Sequence, residues 1–249
     1  MGSYVHLTVH VTRDMHPVFC ADATLPDTGF DLRVEDVTRA QFEALAARTG
    51  RTLADVPGAS RSSPAEWHHA LAGKMVALDT LLAMLPGSIW FFLDLVCGSS
   101  PNGPALNDAV DAILRVVYRT YTPTDSRRKI VFGSSVPDVC MAINWKQPNY
   151  PVFYILYGRK YGITSEDWRL VSLDAAVEFA RSNNLLGVLV QGELLATAPS
   201  LANAVREAGL LVGACCTDYG VLSALEGDGV PDAVVHGGVL NFQDHSGRT

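Results

Sequence analysis

One stretch limits the folds open to this chain. Residues 129–157, KIVFGSSVPDVCMAINWKQPNYPVFYILY, read as strand, helix and strand. KIVF is short, apolar and β-branched. GSSVP starts a helix, with Ser135 as its N-cap and Pro137 in its first turn. Val139, Cys140, Ile143 and the Trp145 region give that helix an apolar face. Pro148 ends it, because the residue before a proline avoids helical backbone. PVFYIL is a second buried strand. Two strands joined by a helical crossover lie parallel, so the sheet here is parallel.

The same alternation runs along the rest of the chain. Residues 4–11 alternate strictly, with Val5, Leu7, Val9 and Val11 on one face and Tyr4, His6, Thr8 and His10 on the other. PVFC is a short returning strand. Thr38 and Gln41 form a capping box ahead of a short helix, and residues 48–64 read as a flexible Gly/Ser/Pro loop. Residues 65–85 read as one helix with Leu71, Met75, Leu78, Leu82 and Leu85 on a stripe. SIWFFLDLV is a strand buried on both faces, interrupted by Asp94, and residues 107–121 are the next helix. Helix 173–182, strand LLGVLVQ, helix 201–208, strand LLVGACC, helix 220–226 and a last strand PDAVVH follow. Counting the hairpin near residues 4–20 once gives seven strands. This alternation suits a (β/α) barrel or an open doubly wound sheet, and no GxGxxG fingerprint marks a dinucleotide site.

Composition narrows the partners. Hydrophobic residues make up 48%, enough for a sizeable core, and the net charge of −7 argues against nucleic acid and anionic membranes. No apolar run is long enough to span a bilayer, and the first residues lack the basic and apolar regions expected of a signal peptide. Five cysteines without a CxxC pair argue against a cysteine zinc site and fit reduced thiols of cytosol or nucleus. We expect one domain over 4–247, with residues 1–3 as boundary residues.

Four stretches resemble the glycerophosphodiester phosphodiesterases, above all their fungal branch. They are VHVTRDMHPVFCAD, KIVFGSSVPDVCMAINWKQPNYPVF, NNLLGVLVQGELLATAPSLANAVREAGLLVGA and PDAVVHGGVL, which together cover most of residues 4–243. The resemblance implies a (β/α)8 TIM barrel that lacks the family's first strand and its His-Arg pair. Within the family it points to the regulatory fungal branch, whose domain of this kind belongs to an inhibitor of a cyclin–cyclin-dependent-kinase pair.

Active members hold Mg²⁺ or Ca²⁺ by carboxylates and use histidines as acid and base. Carried over residue by residue, the Glu-x-Asp positions hold His6 and Thr8, and the His-Asp pair after the returning strand is Ala21-Asp22. The third carboxylate position holds Asp94, and the lysine two residues on is Val96. Gln191 closes the set of pocket candidates. One carboxylate is too few for a tight divalent site, so the resemblance implies no catalytic residue, no bound metal and no cofactor, with Asp94 the one retained metal candidate.

Other readings stay open at these positions. His6 and His10 are a hydrogen-bonded or solvent-facing pair, or a new metal pair. Asp94 is a vestige of the pocket or a buried partner for a loop amide or arginine. His68-His69 starts a helix at the surface, Asp138 favours a helix N-terminus, and Cys215-Cys216 is core or a redox pair. Arg127, Arg128 and Lys129 are a solvated strand entry or an anion site. Trp145, Lys146, Gln147 and Tyr150 form a corner that stops one helix and sets the next strand. Three functions follow: a non-catalytic regulatory domain binding a protein such as a cyclin–kinase pair, an active phosphodiesterase, or a barrel that holds phosphate or a phosphodiester without cleaving it.

Overall fold

The structure is a computed structural model; it describes residues 2–25, 28–54, 56, 63–97, 105–120, 129–156, 172–225 and 230–243. The chain packs as two compact units, Val5–Ile130 and Met1–Tyr4 with Val131–Thr249.

The unit of Val5–Ile130 is built on β1 (Ser3–Val11), which begins two residues before it, and on β2 (Pro17–Phe19). These pair antiparallel, with Val9 opposite Phe19 and Val11 opposite Pro17. A 3-10 turn at Val34–Asp36 leads to α1 (Arg39–Arg48), and α2 (Pro64–Leu71), β3 (Val76–Ala77), α3 (Leu78–Met84), β4 (Trp90–Leu95) and α4 (Leu106–Arg119) follow. The strand order is β4-β1-β2-β3.

Helix α1 starts at the capping box the sequence predicts: Thr38 accepts from Gln41 N, and Gln41 Oε1 accepts from Thr38 N at 2.9 Å. Such a cap contributes about 1 kcal/mol. Burying Phe42 and Leu45 contributes about 1.5–3 kcal/mol each, so packing outweighs the cap in holding the helix. They join Val18, Leu25, Val34, Val37 and Met75 in a satellite core.

The single helix expected over residues 65–85 is two helices with a strand between them. Gly73 takes φ +71°, which ends the first helix, and Val76 and Ala77 then add to the edge of β2. Pairing with an exposed edge wins over continuing the helix.

In the second unit, β5 (Ile130–Ser134), α5 (Pro137–Lys146) and β6 (Val152–Leu156) form the expected parallel crossover, with Phe132 opposite Val152 and Ser134 opposite Tyr154. Val136, not Ser135, is the N-cap residue of α5, and its N–H donates to Ser134 Oγ at 3.1 Å. Next come α6 (Leu173–Ser182), β7 (Gly187–Gln191), α7 (Gly192–Thr197), α8 (Ser200–Glu207), β8 (Leu211–Cys215), α9 (Tyr219–Ala224), β9 (Ala233–His236) and β10 (Val239–Phe242). The order is β10-β9-β8-β7-β6-β5, parallel from β5 to β9.

Two of these elements were not anticipated, α7 and β10. Gly237 and Gly238, both at positive φ, make a two-residue turn, and β10 returns antiparallel along β9. It also pairs with the start of β1, where Ser3 Oγ donates to Asn241 Oδ1 at 2.6 Å and the Tyr4 and Phe242 rings meet edge-on at 5.7 Å.

Candidate functional site

Strand β1 sets the site by its pleat. Val5, Leu7 and Val9 are fully buried on one face, while His6, Thr8 and His10 take the other. Val96 N donates to Val9 O at 2.9 Å, holding the end of β4 beside β1. Phe92 and Asp94 alternate on β4 in the same way, and the Phe92 ring lies 5.1 Å from the His6 ring. His6 Nε2 stands 3.4 Å from Asp94 Oδ2, with side-chain exposures of 23% and 4%. Asp94 is thus buried, with a histidine beside its Oδ2.

His10 departs from the expected pattern. Its residue is 5% exposed, so it is not solvent-facing, and its Nε2 has no hydrogen-bond partner among the described residues. Burial pushes its pKa down to about 4, against the opposing pull of the Asp94 charge. His10 lies opposite the fully buried Val18 of β2 in the antiparallel pair, on the face that the satellite core covers. His68 is corrected as well. The capping box of Ser63 and Glu66 starts α2, so His68 falls in the last turn and is half-buried. Burial lowers its pKa, helped by the charges of His6 and His69.

Thr8 is half-buried on β1, and Ala21 and Asp22 are exposed after β2. Gln191 belongs to the other unit, where it ends β7 and precedes α7. His236, missed in the sequence, ends β9 with Nδ1 3.2 Å from the Cys216 carbonyl and its ring 4.7 Å from Tyr219. Its one signal was a histidine directly before Gly-Gly at a strand end.

All five cysteines are thiols, and burial raises Cys97 to about 12 and Cys216 to about 11. Lys129 lies over the Trp90 ring at 4.4 Å, while Arg127 and Arg128 fall outside the described residues. No described helix is long and apolar enough to cross a membrane.

A hard divalent cation asks for several oxygen ligands. Here Asp94 faces an imidazole, Thr8 offers a neutral hydroxyl, and among the described residues no group of three or more His, Cys, Asp or Glu could hold a metal. This donor set does not fit Mg²⁺ or Ca²⁺.

Comparison with known proteins places the fold. A phosphodiesterase of Oleispira antarctica, solved with sn-glycerol-3-phosphate, superposes with TM-score 0.64 at 14% identity, over 94% of this chain and 81% of that one. A glycerophosphoryl diester phosphodiesterase structure from Agrobacterium tumefaciens gives 0.64 at 19% identity, over 94% and 80%. The fold is the TIM barrel of these proteins. In sequence, the ankyrin repeat protein nuc-2 of Neurospora crassa is 29% identical over 84% of this chain and 24% of its own length. The phosphate system positive regulatory protein of Saccharomyces cerevisiae is 25% identical over 85% and 21%. A glycerophosphocholine phosphodiesterase of Eremothecium gossypii is 30% identical over 69% and 13%. The chain thus spans about a quarter or less of these relatives. The sequence pattern of the glycerophosphoryl diester phosphodiesterase family matches residues 2–220, and the chain belongs to that family.

Proposed function

We propose that this domain is a catalytically silent member of its family, a regulatory scaffold that binds a cyclin–kinase pair in fungal phosphate signalling, in cytosol or nucleus. The observation that carries this reading is the contact of His6 with Asp94. A histidine stands where the resemblance puts a metal-binding carboxylate, and it engages the one carboxylate that remains.

The chemistry supports the same reading. Thr8 and Ala21 supply neither an anionic oxygen nor a proton carrier. General acid–base help is worth about 10²–10⁴ in rate, and a metal ion adds several kcal/mol. A domain without either would hydrolyse diesters at a negligible rate while keeping its fold, because core packing and site chemistry are separable. Two relatives carry regulatory names, an ankyrin repeat protein and a phosphate system regulator.

A second reading is an active metal-dependent phosphodiesterase, favoured by the relative named glycerophosphocholine phosphodiesterase. Assaying glycerophosphocholine hydrolysis with added Mg²⁺ or Ca²⁺, alongside capture of a purified cyclin–kinase pair, separates the two. The regulatory reading expects capture without turnover. Metal-dependent turnover that Asp94→Ala abolishes would overturn it.

A further inference from the structure

Between β2 and α1 a surface loop is pinned at its base. Thr24 bridges Arg33 antiparallel, Leu25 N donates to the Leu32 carbonyl at 2.7 Å, and Val34 N donates to the Ala23 carbonyl at 2.9 Å. Toward its tip Gly29 takes φ +72°, while Thr28 Oγ1 accepts from Phe30 N at 3.2 Å and donates to Phe30 O at 2.7 Å. These bonds hold Phe30 outward. It is 76% exposed, and Asp31 beside it is exposed as well.

Between this loop and α1 runs an apolar groove of about 340 Å³. Leu25, Leu32, Val37, Ala44 and Leu45 line it, and the exposed Arg48 is the one charged residue of its described lining. Its floor is the satellite core, to which Leu25, Val37 and Leu45 belong and against which Leu32 packs. A cavity of about 150 Å³ already admits a benzene ring, so a phenyl side chain fits this groove with room to spare. Phe30 does not fill it, because its own ring stands in solvent.

We propose that a second copy of this chain docks here, with each copy's Phe30 entering the other's groove and each Asp31 meeting the other's Arg48. Knob and hole lie side by side on one short stretch of surface. A twofold interface asks for that arrangement, since the same patch serves both partners and each half is met by its counterpart. The charges are complementary: an anion follows Phe30 and a cation lines the groove, so a ring carried in brings its carboxylate to a guanidinium. Arg48 already has an interaction in its own chain, and its five N–H donors let it take a carboxylate as well. The loop is ordered before docking, so association loses little conformational entropy. Size sets the strength. Two phenyl rings bury about 300–500 Å² between them and cover a similar area of groove wall, short of the roughly 1,200–2,000 Å² of a stable interface. The dimer is therefore weak and reversible. The inference does not depend on how the His6–Asp94 site is read.

Analytical ultracentrifugation of the intact chain, from micromolar to its highest soluble concentration, tests it. The mean mass is expected to rise with concentration from the 26.8 kDa of one chain toward that of two. Phe30→Ala and Asp31→Arg should each weaken association about tenfold or more. Both side chains are exposed, so these variants keep their fold, which unchanged melting curves check. Exchanging the charges within one chain, Asp31→Arg together with Arg48→Asp, should restore association toward that of the natural chain. The mass of one chain at every concentration, undiminished association in Phe30→Ala, or no recovery in the exchanged chain would each overturn the proposal.

Discussion

His6 Nε2 meets Asp94 Oδ2 at 3.4 Å from the adjacent strand, and this contact gives one oxygen of a carboxylate that is 4% exposed a partner. A buried carboxylate without a partner is costly, so the pair acts on stability as well as on chemistry. Replacing His6 with Ala is expected to destabilise the chain by about 1–3 kcal/mol. Asp94→Asn, which removes the charge along with the need to pair it, should cost less. Urea unfolding measures both, and an unchanged midpoint in His6→Ala would refute a structural role for the contact.

Restoring oxygen ligands should restore cation binding. The double variant His6→Glu, Thr8→Asp places two carboxylates on the β1 face that Asp94 meets. It is expected to gain thermal stability in millimolar Ca²⁺, by about 2.7 kcal/mol once the ion is at a hundred times its Kd. The natural chain should show no such gain. A Ca²⁺-dependent shift in the natural chain, lost in Asp94→Asn, would return the site to metal chemistry.

His10 ties stability to pH. Its folded pKa is about 4 against an ordinary 6.5, because burial disfavours the charged ring. Between those values the unfolded chain binds the extra proton and the folded chain does not. Stability therefore falls as pH drops from 6.5 toward 4, by up to about 3 kcal/mol from this group. Other groups face it: Asp94 pulls its pKa up and Arg33 pushes it down. Unfolding measured across that window should lose much of its pH slope in His10→Gln. An unaltered slope would mean that His10 is not the responsible group.

Gly187 is required by close approach. A Cβ there would meet the backbone oxygen of Leu211 at 2.0 Å, where β7 pairs with β8. The three nearest atoms are all backbone of Leu211, so no flexible side chain can yield. Gly187→Ala should cost about 3 kcal/mol, the upper end for overpacking, and lower the melting temperature accordingly. A melting curve that overlays the natural one would show that the ladder can shift.

Period and punctuation were legible in the sequence. The strict alternation of residues 4–11 marked β1 and its two faces, and Thr38 with Gln41 marked the start of α1. Residues 129–156 announced β5, α5 and β6. The misread elements share a cause. Leu71, Met75, Leu78 and Leu82 sit at helical spacing, yet Gly73 and the open edge of β2 divide them into two helices and a strand. Short apolar runs satisfy either period, and only the neighbour that covers them chooses.

The site followed the same division. Which residue types stand at positions 6, 8, 21 and 94 was written in the sequence, and so was the shortage of carboxylates there. That His6 reaches Asp94 across 88 residues of chain, that His10 is enclosed, and that the last strand returns to lie against Ser3 and Tyr4 were decided by tertiary structure. Local pattern fixes which face a side chain takes, because backbone geometry repeats over a few residues. What that face meets depends on strand order and on which segment covers it, and those are set by packing between parts of the chain that share no local signal.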